Sequence, residues 1–491
     1  MTAALRNRRW LILAVILVAE CMDLLDSTVV NVAAPAIHAE LGTSSTALQW
    51  IVGGYPLALA VGLIVGGRLG DLFGRGRLFI IGVAGFTIAS MACGLAPTTG
   101  FLIAARLVQG AAAALMLPQG LGLIREVFPT DELGKAFGVF GPVIGSAAVV
   151  GPIVGGGLIA LNLFGTGWRL IFFVNFPLGI AAVVGGLLLL PLRAPATRER
   201  LDLLGVALSG LGALALVYPL MQGRDLGWPW WTWLLMGLSA LLFAAFGWQQ
   251  ARRARSGADP LVLPSVFTHR GYSAGLVVMT VFFAGMGGVL LATSVFLQIG
   301  QHFSAIHTGI MFIPMSAALA VGAGLSGAVL GPRFGRSVIL AGAVINLAGW
   351  LLVERALHAT GTIGFVSLLP GLAVVGLGMG LVVAPLFDVI LASVTDAETG
   401  SASGLLNAVQ QLAGAVGVAV FGSIFFSAVT TVGFRSALER MLWVQIAALA
   451  VMAVLTLLLP AKAREEDPAA LAAEPASDPV AAVGAATLVD A

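Results

Sequence analysis

Apolar residues in this 491-residue chain gather into fourteen runs separated by short polar or glycine-rich connections. The runs lie near 11–33, 47–67, 78–96, 101–124, 136–160, 170–192, 203–221, 230–250, 272–297, 308–330, 337–357, 362–386, 405–430 and 441–460. A helix crossing a hydrocarbon core of roughly 30 Å needs about 20 apolar residues, so each run predicts one transmembrane helix. The seventh is the least regular, with Pro219 near its end and a short loop after it.

Composition supports lipid as the solvent. Only 10% of residues are charged and 59% are hydrophobic, against about 25% charged in globular proteins. An even number of spans puts both termini on one side, and the cations say which. Nineteen Lys and Arg share the side of the termini: three before the first run, Arg68, Arg75 and Arg77, Arg125 and Lys135, three at 193–200, four at 252–270, Arg333 and Arg336, and Lys462 and Arg464. Five lie opposite, at Arg169, Arg224, Arg355, Arg435 and Arg440. The positive-inside rule predicts cytoplasmic termini, in a bacterial cytoplasmic membrane. The net charge of +2 is then a topology signal and gives no reason to expect a nucleic-acid partner.

Cys21 and Cys93 both fall in spans, so no disulfide is expected. Arg6, Arg8 and Arg9 before an apolar run outline a secretory signal, but that run is too long and holds three acids. Residues 461–491, rich in Ala, Pro and acids, have the composition of a disordered cytoplasmic tail.

Charged segments divide the chain. The clusters at 193–202 and 252–264 bracket the seventh and eighth runs. The expected organisation is a six-helix bundle over 1–192, a linker with two extra helices over 193–264, and a second six-helix bundle over 265–460. A short internal repeat agrees: Phe73-Gly74-Arg75 follows the second run and Phe334-Gly335-Arg336 follows the tenth, with Gly66 matching Gly327 but Asp71 facing Pro332. Repeated halves are a common transporter plan, with the substrate site near the midplane between them. Gly-x-x-x-Gly pairs such as Gly62/Gly66 and Gly376/Gly380 predict close helix packing.

Chemistry concentrates in the first run. Glu20, Asp23 and Asp26 stand three residues apart, on roughly one helix face about 4.5 Å apart along the axis. An acid in a membrane core is costly, so it marks an ion or proton pathway, or it is locked in a buried pair. Arg106 is the one cation inside a run. It is expected about 8 Å below the outer face, and Asp26 about 22 Å up from the inner one, so the two share a depth. Asp26 or Asp23 is its natural partner. On the side of the termini, the loop 67–77, with Gly67, Asp71, Gly74, Arg75 and Arg77, has the fixed charges and tight turn of a gating latch. Gly151-Pro152 predicts a kink, with Gly155 and Gly156 allowing close contact.

Asn31, Trp50, Tyr55, Asn407, Gln410 and Gln411 are polar or aromatic groups in spans, read as substrate contacts or as packing. Trp228, Trp230, Trp231 and Trp233 read as interface anchors. The five histidines show no metal-ligand spacing, and no nucleophile–base constellation appears, so no metal or enzyme activity is expected.

With these residues in view, the chain over about 1–460 resembles the fourteen-helix drug:proton antiporters of the major facilitator superfamily, the EmrB/QacA type. Leu25-Asp26-Ser27-Thr28-Val29-Val30-Asn31-Val32-Ala33-Ala34-Pro35 is similar to its first-helix motif with a membrane acid. Gly67–Arg77 resembles its loop between helices two and three, and Gly151-Pro152-Ile153-Val154-Gly155-Gly156 its fifth-helix antiporter motif. Leu102–Gly110, with Arg106, Gln109 and Gly110, resembles a fourth-helix motif implicated in proton transfer. Trp168-Arg169 with Phe172, Asn175, Pro177 and Gly179 matches a sixth-helix signature, and Gly400–Gly404 with Asn407, Gln411 and Gly414 the thirteenth-helix region. Departures are Ala147 where the antiporter motif usually has Gly, and no acid in helices ten or thirteen; Asp388 lies near the end of helix twelve.

The resemblance implies a major facilitator fold and an exporter of lipophilic small molecules; a monomer is the expectation, though the sequence does not fix the oligomeric state. It would be driven by the proton gradient without a cofactor, with Asp26 as proton carrier, Arg106 as its modulator, and Asp23 and Glu20 as helpers. A dedicated exporter of a lipid or endogenous metabolite is the alternative; a non-transporting receptor or scaffold is a third reading.

Overall fold

The computed structural model describes residues 3–192, 201–358, 364–395 and 397–461, and among them every regular element is helical. Part of the linker, 193–200, and the tail, 462–491, lie outside the described residues. Among the described residues, eleven helices are long and apolar enough to cross a membrane.

The first half holds α1 (Ala3–Leu41), α2 (Ser45–Phe73), α3 (Arg75–Gly94), α4 (Thr99–Val127), α5 (Thr130–Leu161) and α6 (Gly167–Leu189). The inserted pair is α7 (Leu203–Gln222) and α8 (Trp230–Arg255). There follow α9 (Arg270–Gly300), α10 (Ala305–Phe334), α11 (Arg336–His358), α12 (Phe365–Leu391) and α13 (Thr399–Thr456). Ser44, Thr98 and Asp202 start their helices by accepting the N–H of the residue three positions on, meeting donors that no helical carbonyl reaches.

The last two apolar runs are two helices, as expected, joined directly at one residue, Gly433 (φ 79°), with no loop between them; together they span the 58 residues of α13. At 1.5 Å per residue it would extend about 87 Å, close to three hydrocarbon thicknesses, so the break makes it two arms. α5 is helical on both sides of Pro152.

The repeated tripeptides adopt matching turns. Gly74 (φ 93°) and Gly335 (φ 51°) each end a helix, their N–H bonded to Gly70 and Gly331 carbonyls at 2.9 and 2.8 Å, and the following Arg opens the next helix. Only glycine reaches such φ without a Cβ clash. The Gly-x-x-x-Gly reading also holds: a Cβ at Gly62 would sit 2.4 Å from Ala114 Cβ on α4, and one at Gly376 1.9 Å from the Met315 carbonyl on α10.

Within the first half, α1 packs on α5, α6 and α4, while α4 also packs on α2 and α3. In the later part α9 packs on α13, and α12 on α10 and α11. The inserted α7 and α8 pair with each other, and α7 rests on both α2 and α13.

Candidate functional site

Five helices of the first half converge on Asp26. α1 brings Asp26 and Asp23, α4 brings Arg106 and Gln109, α2 brings Tyr55, α3 brings Ser90 and Cys93, and α6 brings Asn175 and Phe172. The Arg106 Nη1 donates to Asp26 Oδ2 in an ion pair whose two side chains are each 1% exposed. Gln109 Nε2 donates to the other oxygen at 2.8 Å, with Asn175 Nδ2 at 3.4 Å. Arg106 is held from three more directions. Its Nε donates to the Ile51 carbonyl at 3.1 Å, its Nη1 to Gln109 Oε1 at 2.8 Å, and its guanidinium lies 4.4 Å from the Tyr55 ring centre. The site is thus a closed shell of donors about one carboxylate, and a shared charge pair explains why both ions survive burial.

Asp23 is held differently. Its carboxylate accepts the Tyr55 hydroxyl proton, while Arg106 goes to Asp26. Of the two partners the sequence left open for Arg106, the structure selects Asp26. Glu20, one turn below, sits half-buried beside Gly120 of α4, where a Cβ would lie 3.1 Å from its Oε1.

Tyr55, expected as a substrate contact, is committed to Asp23 and Arg106. Asn31 donates to the Ser27 carbonyl at 3.1 Å and leaves its buried Oδ1 without a partner. Trp50 packs on Tyr218 of α7, ring centres 6.1 Å apart. Asn407 donates to the Ser403 carbonyl at 2.9 Å, and Gln410 and Gln411 are half-buried on α13. Of these side chains, Tyr55 belongs to the Asp26 cluster.

Ser90 is not singled out by the sequence, and Gln109 and Asn175 enter it only as members of the fourth- and sixth-helix motifs. Ser90 Oγ receives Asn175 Nδ2 at 3.0 Å and donates to the Phe172 carbonyl, fixing the amide that faces Asp26. The signal was present: an amide inside an apolar run needs a partner there.

The expected gating residues fall in two places. Asp71 and Arg75 form an i,i+4 ion pair at 3.0 Å, each 39% exposed, and Arg75 also covers Gly122 of α4. Gly67 faces open space, and Arg77 lies in the first turn of α3. At the far end of the bundle, α5 fits between α1 and α10. A Cβ at Gly151 would meet Thr28 Oγ1 at 2.1 Å, one at Gly155 Val29 Cγ1 at 2.7 Å, and one at Gly156 the Ala305 carbonyl at 2.6 Å. Gly309 of α10 in turn admits the Pro152 carbonyl. Gln298 of α9 donates to the Val32 carbonyl at 2.8 Å, and Gln49 of α2 to the carbonyls of Val418 and Ala419 at 3.0 and 3.1 Å. These contacts latch the first half to α9, α10 and α13.

Among the described residues no group of three His, Cys, Asp or Glu is arranged to hold a metal ion.

A sequence profile described as the Major Facilitator Superfamily matches residues 16–418. A probable actinorhodin transporter of Streptomyces coelicolor is 49% identical over 420 residues, 85% of this chain and 73% of that protein. A puromycin resistance protein of Streptomyces alboniger is 38% identical, over 85% of this chain and 82% of its own. A tetracenomycin C resistance and export protein of Streptomyces glaucescens is 35% identical, over 87% and 78%. Among solved structures, an auto-inhibited POT family peptide transporter superposes with a TM-score of 0.65 at 14% identity, over 91% of this chain and 95% of that one. The nucleoside transporter NupG superposes with 0.62, also at 14% identity, over 91% and 99%. At that identity the likeness is one of fold.

Proposed function

Because this chain belongs to the Major Facilitator Superfamily, we propose that it exports lipophilic antibiotics or related small molecules in exchange for protons, by alternating access. It is a multi-pass membrane transporter and not an enzyme. The drug-efflux reading is supported by relatives named for antibiotic export and resistance.

The observation that carries the proton-coupled reading is the buried Arg106–Asp26 pair with its shell of donors. A carboxylate so enclosed releases Arg106 when protonated, and a freed guanidinium changes what the α1–α4 contact prefers. Protonation thereby biases two conformations by its unequal affinity for them. Asp23 and Glu20 line the same helix as relay groups. No cofactor is required; the proton gradient drives export.

Fourteen spans and cytoplasmic termini fit the helices. To the eleven apolar ones are added α1, which carries three acids, α5, and the second arm of α13. On the positive-inside assignment the contact of α5 with α10 lies at the outer face, which supports reading it as an outer gate.

A narrower reading, a dedicated exporter of one secondary metabolite, is favoured by relatives whose names each carry a single antibiotic. Everted membrane vesicles with a pH-sensitive dye separate the two. Cationic dyes, quaternary ammonium compounds, actinorhodin, puromycin and tetracenomycin C are added to wild type and Asp26→Asn at matched protein levels. Proton flux evoked by many compounds in wild type alone supports multidrug antiport. Flux evoked by one antibiotic class supports the narrow reading. If no compound moves protons while transport of a labelled one persists, proton coupling is wrong.

A further inference from the structure

The connection from α8 to α9 is a loop with a buried middle. Pro260, Leu261, Val262 and Val266 are buried, and the two valines belong to the apolar core. Buried backbone needs partners for its N–H and C=O groups, and here side chains from other elements supply them. Gln250 Oε1 of α8 accepts the N–H groups of Leu261 and Val262 at 2.7 and 3.3 Å. Arg253 of α8 donates to the Asp259 carbonyl at 3.1 Å and pairs with Asp202 at 3.5 Å. Ser401 Oγ of α13 accepts the Leu263 N–H at 2.9 Å.

Gln250 is itself fixed. Its Nε2 donates to Asp202 at 2.7 Å, and Asp202 caps α7. Further along the loop, His269 Nε2 lies 3.0 Å from Glu398, just ahead of α13. Segment 259–263 therefore forms one unit with the adjoining ends of α7, α8 and α13. From the first half, Arg68 near the end of α2 donates to the Pro260 carbonyl at 2.9 Å. By the positive-inside assignment that bond is at the inner face, opposite the contact of α5 with α10.

We propose that segment 259–263 is a strap carried by the later helices and fastened to the first half by Arg68, and that this fastener slackens when the outer contact of α5 with α10 opens. Under the alternating-access reading, on which this proposal rests, two halves that rock apart at the outer face also shift against each other at the inner one. The strap moves with α8 and α13, which hold its backbone at several points, so the joint that yields is the long side chain of Arg68. A bond made in the outer-closed state alone favours that state. Deleting it favours opening, and making it covalent opposes opening.

Hydrogen exchange at the outer face reads a change made at the inner one. Exchange over Ala305–Met311 of α10 is followed by mass spectrometry on the full chain in detergent. Arg68→Gln is expected to speed it about two- to tenfold, the population change that one net hydrogen bond supplies. Asp259 is exposed, so Arg68→Cys/Asp259→Cys can be joined by a reducible bis-thiosulfonate linker of arginine length. The bridge is expected to slow the same exchange, with recovery on reduction. Each single cysteine variant, treated alike, controls for reaction at Cys21 and Cys93, and melting temperatures identify the variants that stay folded. Gly156→Val, which wedges the outer contact, is read in turn at the inner turn 70–76. A change there, with outer exchange in the folded strap variants equal to wild type, overturns the strap alone. No response in either direction overturns alternating access and the strap together.

Discussion

Arg106 and Asp26 meet across the contact of α4 with α1, and the amides of Gln109 and Asn175 turn their donors to the same carboxylate. The pair is an energetic unit as well as a candidate switch. Removing one member of a buried pair typically costs about 3–5 kcal/mol, because the other charge is left uncompensated. Arg106→Gln and Asp26→Asn are each expected to lower the melting temperature, and Asp26→Asn/Arg106→Gln to be more stable than the sum of the singles. Thermal unfolding of the four proteins measures the coupling. Strict additivity would disprove it.

Tyr55 has two separable duties: its hydroxyl serves Asp23 and its ring lies beneath Arg106. Tyr55→Phe deletes only the first and leaves a buried acceptor short of one donor, at about 1–3 kcal/mol. Tyr55→Ala also removes the ring, adding a cavity and the lost cation–π contact. The alanine variant is therefore expected to be the less stable of the two by several kcal/mol. Proton-linked transport is expected to weaken already in Tyr55→Phe, which vesicle assays at equal protein level would register.

Gly156 admits the Ala305 carbonyl, and a side chain there blocks the α5–α10 latch. Gly156→Val is expected to insert and fold yet transport at least tenfold more slowly, a barrier change of about 1.4 kcal/mol or more. Alkylation of a cysteine placed at Ile306 (38% exposed in the latched form) is expected to quicken as the latch opens. Unchanged labelling together with normal transport would show that the latch is not part of the cycle.

Glu398, at the start of α13, is held down to about 2 by the Ser265 hydroxyl, the Thr395 N–H and hydroxyl, and His269. A carboxyl lowered on folding stabilises the folded state once ionised. Its contribution is complete above its ordinary value of 4.5 and fades as pH falls from there toward 2. The stability gap between wild type and Glu398→Gln is thus expected to be constant at pH 6–8 and to close on acidification. A gap that widens in acid would contradict the assignment.

Much of this architecture was readable before any coordinates. Thirteen helices cover the fourteen apolar runs, because hydropathy and the hydrocarbon thickness act on each segment locally. The tripeptide repeat, which only glycine at the turn permits, appears as two like helix ends at Gly74 and Gly335. The last two runs form two helices that meet at Gly433, and the charged residues Arg435 and Glu439 between the runs belong to the second of them, with Arg435 Nε 3.8 Å from Glu439.

The sequence by itself determined that the chain lives in lipid, which side its arginines favour, and that α1 carries costly acids needing company. It did not determine which acid meets Arg106. Asp23 and Asp26 differ by about 60° around one helix, and the rotation of α1 is set by Gly151 and Gly155 of α5 lying against Thr28 and Val29. That same packing brings Gln109 and Asn175, far apart in the chain, onto one carboxylate. Local hydropathy fixes where a helix lies in the membrane, while its rotation, and hence the partner of each buried charge, is decided by side-chain contact with its neighbours.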